Sequence, residues 1–182
     1  MSIADRYAPH QHVPLSGYLT TLAVFGVGFA AALVHLGRPR TPWGRGPRLG
    51  DVPLVGMATH KLTRIIAKDF VTAPLRAPFT ERVAKEGGGE VQDRPRPGKL
   101  ATLGDLVSCP YCLGPWVATG FSVALSVSPG PTRAALRILA AVAVSDFLHQ
   151  IYSRLNETRK AALAYQRHVN PPTDTTQETA ER

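Results

Sequence analysis

Three apolar segments constrain the fold of this chain more than any other feature of its sequence. They cover residues 18–36, 106–127 and 134–152, and each approaches the ~20 helical residues that cross a hydrocarbon core about 30 Å thick. Most Arg, Pro and Gly residues fall between them, which is why the mean hydropathy of the whole chain is only -0.05. The sequence therefore predicts an all-α, polytopic membrane protein with three spanning helices.

The segment 52–70 has a different pattern. Its cationic side chains fall within an arc of about 100° when the residues are placed on a helix, opposite a face of apolar residues. A helix that lies in the membrane interface, or packs this face against protein, costs less than one that exposes the charges to lipid. The pattern predicts a short amphipathic helix and leaves open whether it spans the bilayer. The cationic face consists of His60, Lys61, Arg64 and Lys68.

Composition sets the remaining boundaries. The first apolar run is longer than the core of a cleaved signal and is followed at once by Arg38 and Arg40, as a retained span would be. Stretches rich in Pro, Gly and charge between the spans predict loops. The predicted order is a polar lead at 1–16, an N-terminal transmembrane helix at 17–37, a basic loop at 38–51, the amphipathic helix at 52–70, a cytoplasmic and partly disordered loop at 71–104, transmembrane helices at 105–127 and 134–152 joined by a tight turn, and a largely disordered cytoplasmic tail at 153–182.

Positive charge indicates both a partner and an orientation. The net charge of +8 suits nucleic acid or an anionic membrane surface. The basic residues lie beside apolar spans with few aromatic residues for base stacking, so we expect the lipid bilayer and its anionic lipids as partners, and no nucleic acid. Counting Lys and Arg places the long loop and the C-terminus on the cytoplasmic side of the cell membrane and leaves the side of the N-terminus open.

Cys109-Pro-Tyr-Cys112 stands at the predicted start of a helix, where side chains three residues apart share a face. A helix N-terminus stabilises a thiolate, which suits thiol redox chemistry or metal binding. Two thiolates are half of a tetrahedral zinc site, which His60, His149 or a second subunit would have to complete. We favour the competing interpretation, that these small side chains pack a helix interface near Trp116. The sequence thus predicts no cofactor, with zinc or another metal at the two cysteines as the alternative.

The last apolar segment carries a polar stripe with the spacing i, i+3, i+4, i+7. Its first member, Asp146, would lie ~10 Å below the cytoplasmic end of the helix and therefore needs a partner, for which Lys61 and Arg64 are the candidates. A proton or ion relay, or a pocket for an anionic head group, would use the same groups. We favour a buried pair that fixes helix packing. The stripe consists of Asp146, His149, Gln150 and Ser153.

Two further cations are candidates for contact with lipid phosphates. Arg76 lies in segment 72–80, which is predicted to be stiff and extended, and Lys68 ends the amphipathic helix. We favour the competing interpretation, in which this segment is a solvated loop.

Three motifs in order carry a resemblance to a known family. They are ATHKLTRIIAKDFVTAPLRAPFT at 58–80, CPYCLGPW at 109–116 and AVSDFLHQIY at 143–152. Over about residues 53–152 the chain resembles a bacterial membrane-protein family known as domain of unknown function 1360, which includes a sporulation-associated protein of bacilli. That family has no assigned activity, and the first span and the tail lie outside the resemblance. It implies that the positions to test are His60, Lys61, Arg64, Lys68, Asp69, Arg76, Cys109, Cys112, Trp116, Asp146 and His149.

The sequence contains no nucleophile paired with a base, no phosphate-binding loop and no complete metal motif. It therefore favours an accessory or scaffold component, or the subunit of a complex, over an enzyme, with other membrane proteins or a second copy as partners. The rival function is thiol redox or metal binding at Cys109 and Cys112. A further alternative is binding of anionic lipid or a small ion by the polar side chains of 60–64 and 146–149.

Overall fold

The computed structural model describes residues 14–38, 48–85, 90–98 and 100–169. Within these ranges the chain is mostly helical, and it divides into two compact units, residues 1–143 and 144–182. The elements are α1 (Leu15–Gly37), α2 (Asp51–Ala67), a 3-10 turn (Phe70–Thr72), α3 (Ala73–Arg76), β1 (Thr80–Lys85), β2 (Val91–Pro95), α4 (Ala101–Ser108), α5 (Pro110–Val127) and α6 (Pro129–Val169). Most of the predicted lead at 1–16 and of the basic loop at 38–51 lies outside the described residues.

The prediction of three spanning helices is not supported. Among the described residues, two helices are long and apolar enough to cross a bilayer, and these are α1 and α6. The predicted span at 105–127 is instead divided between α4 and α5. The reason is Pro110, which has no amide hydrogen to donate to the preceding turn and disfavours helical geometry in the residue before it. Accordingly Cys109 is extended, with φ -108° and ψ 106°.

The core of the first unit forms where α2 and α5 pack together with the first turns of α6. Ala58, Leu125 and Leu136 are fully buried there, and partly buried apolar side chains surround them. Because Asp51 at the start of α2 contacts Arg133 just beyond the end of α5, α2 and α5 run antiparallel. The surrounding side chains are Leu54, Val55, Phe121 and Leu139.

Helix α1 runs parallel to α5, as three contacts along its length show. The Tyr18 hydroxyl lies 2.5 Å from an Asp105 carboxylate oxygen, the Phe25 and Trp116 rings are 4.9 Å apart, and the His35 ring nitrogen Nε2 is 2.9 Å from Ser126 Oγ. The first unit therefore has two ends. The Tyr18 end holds the start of α1, and the Asp51 end holds the starts of α2 and α6.

A β-hairpin corrects two predictions, the all-α fold class and the loop at 71–104. Strands β1 and β2 pair antiparallel, with Thr80 opposite Pro95 and an irregularity between Arg82 and Ala84. Pro78 precedes β1 and Pro95 ends β2, so neither interrupts the pairing. Residues 86–89, which include the three glycines, lie outside the described residues.

Helix α6 corrects the prediction of a disordered tail at 153–182. Its 41 residues continue to Val169, and the predicted turn at 128–131 is reduced to Ser128. Residues 153–169 contain no Pro or Gly and many strong helix formers such as Ala, Leu, Arg and Lys, so they favour a helix despite their polarity. The rest of the predicted tail, 170–182, lies outside the described residues.

Candidate functional site

A buried guanidinium lies at the centre of the Tyr18 end. Arg76 is fully buried, and its Nε donates to the Asp93 carboxylate at 3.0 Å. One terminal nitrogen donates to the Ile66 carbonyl and to the Thr72 hydroxyl, both at 2.6 Å, and the other donates to the Asp69 carbonyl at 3.1 Å. Arg76 therefore closes the C-terminus of α2, whose last carbonyls have no partner within the helix.

The Arg76 site joins three segments that are separate in sequence. Asp93 belongs to β2, Ile66 to the last turn of α2, and Thr72 to the turn before α3. The Asp93 side chain is only 5% exposed, and its second carboxylate oxygen has no hydrogen-bond partner among the described residues. A buried carboxylate held by a buried guanidinium is costly to separate, so this pair fixes the hairpin against α2.

The prediction that Arg76 contacts lipid phosphate is wrong. Each nitrogen of its guanidinium already donates to protein, and none of the side chain is exposed. The stiff segment at 72–80 indicated a surface position, and the sequence did not show that β2 would fold over it. Lys68 is half-buried, and its carbonyl accepts from the Val91 amide at 2.9 Å. Contact of its ammonium with lipid stays a prediction.

The cationic face of α2 packs partly against the hairpin. The Arg64 guanidinium pairs with the Glu90 carboxylate next to β2, and Lys61 is half-buried while His60 is exposed. The expectation that this face packs against protein is met for Arg64. Asp146, for which the sequence suggested Arg64 or Lys61 as a partner, belongs to the second unit and is half-buried. His149 is exposed. Pairing of Asp146 with Lys61 stays a prediction.

The two cysteines lie where α4 meets α5. Both are free thiols, and the Cys109 sulfur accepts the Cys112 amide hydrogen at 3.2 Å, so Cys109 caps the first turn of α5. Cys112 also lines a cavity of about 340 Å³ between α1 and α5, together with Asp105 and Tyr18. Within the described ranges, no three His, Cys, Asp or Glu side chains come together as metal ligands would. The geometry shows that Cys109 caps the start of α5.

Another cavity, of about 490 Å³, lies further along the same groove towards the Asp51 end. Its walls are mainly apolar, and Phe25 and Trp116 separate it from the cavity at Cys112. His35 and Thr119 are among its polar lining residues. The groove between α1 and α5 is thus apolar along most of its length, with polar groups towards both ends.

A bidentate ion pair holds the Asp51 end. Arg133 donates from Nε and Nη2 to the two carboxylate oxygens of Asp51, at 3.0 and 2.9 Å, and the Arg48 amide donates to the same carboxylate at 2.8 Å. These donors stabilise the ionised carboxylate, and the Arg133 hydrogen bonds have the largest effect in lowering the Asp51 pKa to about 2. The pair links the starts of α2 and α6.

The sequence alone did not identify Asp51, Arg133 or Asp93. Asp51 and Arg133 are 82 residues apart, and Arg76 and Asp93 are 17 apart. No periodic pattern connects such positions. The one usable signal was Asp51 itself, because an acidic residue at the start of a predicted helix is favourable there.

Comparison with known families matches residues 54–152 to the family described as "Protein of unknown function (DUF1360)". Among curated proteins, the chain is 26% identical to the sporulation protein YjcA of Bacillus subtilis (strain 168) over 107 residues. That alignment covers 57% of this chain and 91% of the relative. No solved structure shows a significant match. The resemblance read from the three motifs is confirmed, and the chain belongs to the DUF1360 family.

Proposed function

We propose that the protein is an integral membrane protein in which α1 and the apolar part of α6 cross the bilayer. Residues 52–67 of α2 and the whole of α5, which run between the same two ends of the first unit, cross with them. The observation that carries the proposal is the exposure of α1. Only 6% of its apolar 18-residue stretch is buried inside the protein. Leu19, Leu22 and Val27 are 68%, 66% and 73% exposed. A helix of 23 residues with this surface is long enough to cross a bilayer, and lipid is the solvent that suits it.

The directions of the helices and the distribution of Lys and Arg support one orientation of the protein in the membrane. The segments that are joined in sequence to helix ends at the Tyr18 end, 1–16 and 69–104, contain seven Lys and Arg residues, whereas those joined to helix ends at the Asp51 end, 37–51 and 128–133, contain five. The segment 153–182, which follows the apolar part of α6, contains five more. Since loops rich in Lys and Arg stay in the cytoplasm, we place the hairpin and the C-terminus there.

Within the membrane we propose a scaffold or accessory role. Support comes from the way the charged groups are used: Arg76 with Asp93, Arg133 with Asp51, and Arg64 with Glu90 all join one element to another. Such pairs fix the positions of helices and of the hairpin. These three pairs hold the two ends of the first unit.

Arginine substitution in α1 tests the membrane proposal. An Arg at the centre of a spanning helix opposes insertion by about 2.5 to 3.5 kcal/mol, whereas on a water-exposed helix it costs little. We expect Leu22→Arg combined with Val27→Arg to keep α1 out of the bilayer and so to raise the fraction of the protein in the alkaline carbonate extract of membranes, while α6 still holds the remainder. The unsubstituted chain should stay in the pellet.

The matched control places two Arg residues on the polar part of α6. Leu155 and Leu163 are 64% and 44% exposed, and we expect Leu155→Arg with Leu163→Arg to leave extraction unchanged. If the unsubstituted chain is released by carbonate, or if the α1 and α6 variants behave alike, the membrane proposal fails.

A further inference from the structure

An exposed surface beside the Arg76 site combines apolar and cationic side chains. Val71 is 82% exposed and Leu75 is 67% exposed, and the ring of Phe70 is 47% exposed. Val71 and Leu75 lie four residues apart in consecutive helical turns, so they share a face. Three large apolar side chains on one short segment form a patch that water solvates poorly. We call the surface made by Phe70, Val71, Leu75, Arg82 and Lys85 the anchor patch.

The cations of the anchor patch are placed over its aromatic ring. The Arg82 guanidinium lies 4.3 Å from the centroid of Phe70, and the Lys85 ammonium lies 6.0 Å from it. Arg64, Arg76 and Arg94 each pair with a carboxylate. In the part of the chain that the structure describes, no carboxylate pairs with Arg82 or Lys85, and both cations lie against the Phe70 ring.

The anchor patch is also held at a defined place. Thr72, which follows Phe70 and Val71, accepts from Arg76 at 2.6 Å, and α4 connects the hairpin to the start of α1. The close approaches at Gly104 and Gly17 show this connection, because a Cβ on Gly104 would meet the Phe79 carbonyl and one on Gly17 would meet Thr102. The patch therefore belongs to the same end of the unit as the first turn of α1.

We propose that the anchor patch docks on the cytoplasmic head-group layer of the membrane, with Val71 and Leu75 entering the interface and Arg82 and Lys85 binding the phosphates of anionic lipids. The inference rests on the proposed membrane function, since it needs the start of α1 at the level of the head groups. Aromatic and apolar side chains beside cations that pair with no carboxylate of the described ranges fit that layer, where apolar burial and attraction to anionic lipid add together.

Site-specific fluorescence in nanodiscs tests the docking. The full chain, with Cys109→Ser and Cys112→Ser, receives a single cysteine by Val71→Cys or Leu75→Cys and is labelled with an environment-sensitive fluorophore. We expect a blue-shifted emission, quenched by spin-labelled lipid, in discs that contain phosphatidylglycerol. Gln92→Cys is the control, because alternation along β2 places Gln92 on the face opposite the buried Val91 and Asp93, and its label should report water.

Removal of charge tests the lipid class. We expect Arg82→Gln with Lys85→Gln to weaken the docked state by on the order of 30-fold, so that the labels at 71 and 75 shift towards the emission of the label at 92. Arg159→Gln with Lys160→Gln removes the same charge from exposed positions on α6 and should leave the emission unchanged. We also expect the blue shift to be smaller in discs of phosphatidylcholine alone.

Three results would overturn the docking. In the first, the labels at 71 and 75 report water in anionic discs. In the second, they are equally protected in neutral discs, as they would be if a protein partner covered the patch. In the third, the Arg82/Lys85 and Arg159/Lys160 variants shift the emission equally. Each of these results presupposes that the chain enters the discs. Failure to enter them would count against the proposed membrane function, so the two failures are distinguishable.

Discussion

The Arg76 guanidinium ties together the end of α2, the turn before α3, and strand β2 through donors on all three of its nitrogens. It is also the largest fully buried side chain in the described part of the chain. A charge at such a place is stabilised only by its own partners, and those partners depend on it in return. The stability of the hairpin should therefore depend on this single residue.

We expect Arg76→Met to lower the free energy of unfolding by about 3 to 5 kcal/mol, because it leaves the Asp93 carboxylate buried without its counter-ion. Adding Asp93→Asn to that variant should recover part of the loss, since the unpaired charge is gone. Denaturant unfolding in detergent measures both. Arg94→Met, which breaks an exposed pair with Glu81, should change the stability by less than about 1 kcal/mol. Equal losses at the two arginines would refute this account of Arg76.

The Asp51 carboxylate makes stability depend on pH. Its pKa is lowered from 3.8 to about 2 in the folded protein, so its ionised form is stabilised by folding. This contribution is fully present above pH 4 and is lost as the pH falls from about 4 through 2. We expect Asp51→Asn to lower the midpoint of thermal unfolding at pH 7 by on the order of a few degrees.

The difference between Asp51→Asn and the unsubstituted protein should shrink as the pH falls through this window, as measured by thermal unfolding in detergent. Asp105→Asn is the control for removing an acid elsewhere in the same unit, at the Tyr18 end. A difference that stays constant from pH 7 down to pH 2 would show that the Asp51 charge is not what Arg133 recognises.

At the scale of elements, the packing of α4 on the hairpin depends on a missing side chain. A Cβ on Gly104 would lie 2.5 Å from the Phe79 carbonyl oxygen and 2.8 Å from Pro95 Cβ. These neighbours are backbone and a rigid ring, which cannot move aside cheaply. We expect Gly104→Ala to lower the free energy of unfolding by about 1 to 3 kcal/mol, as overpacking does.

Gly114→Ala in α5 is the matched comparison, because nothing lies within 4 Å of a Cβ there. Alanine favours the helix over glycine, so this change should be neutral or stabilising by up to about 1 kcal/mol. Denaturant unfolding of the two variants side by side measures the contrast. If Gly104→Ala is as harmless as Gly114→Ala, α4 does not pack on the hairpin as described.

The elements show where sequence reasoning succeeds and where it stops. Periodicity predicted the amphipathic helix at 52–70, observed as Asp51–Ala67, because a local pattern of 3.6 residues determines it. The hairpin was missed, since pairing of β1 with β2 is not local and its strands are short and polar. The helix at 153–169 was missed because polarity was given more weight than helix propensity.

The candidate site was predictable only in part, for a related reason. The sequence singled out Arg64, Arg76, Cys109 and Cys112, and the structure places all four at the Tyr18 end. It did not identify the acidic partners Glu90 and Asp93, which come from the segment that was interpreted as a loop. Without those partners, the buried Arg76 appeared to be a surface cation. Because the hairpin was interpreted as a loop, the position of Arg76 was also predicted wrongly.

At the scale of the whole molecule, the central claim is that α1, α2, α5 and the apolar part of α6 cross a bilayer, with the hairpin on the cytoplasmic side. The two ends of the first unit offer reporter positions of equal accessibility, because Leu49 is 92% exposed and Tyr111 is 91% exposed. Leu49 precedes α2 at the Asp51 end, and Tyr111 lies in the first turn of α5 at the Tyr18 end.

The most direct measurement is labelling of single cysteines with a membrane-impermeant maleimide in sealed right-side-out and inside-out vesicles. The full chain carries Cys109→Ser and Cys112→Ser together with either Leu49→Cys or Tyr111→Cys. The account predicts that Leu49→Cys reacts only in right-side-out vesicles and Tyr111→Cys only in inside-out vesicles, and that both react once detergent is added. Reaction of both cysteines from the same side would contradict it.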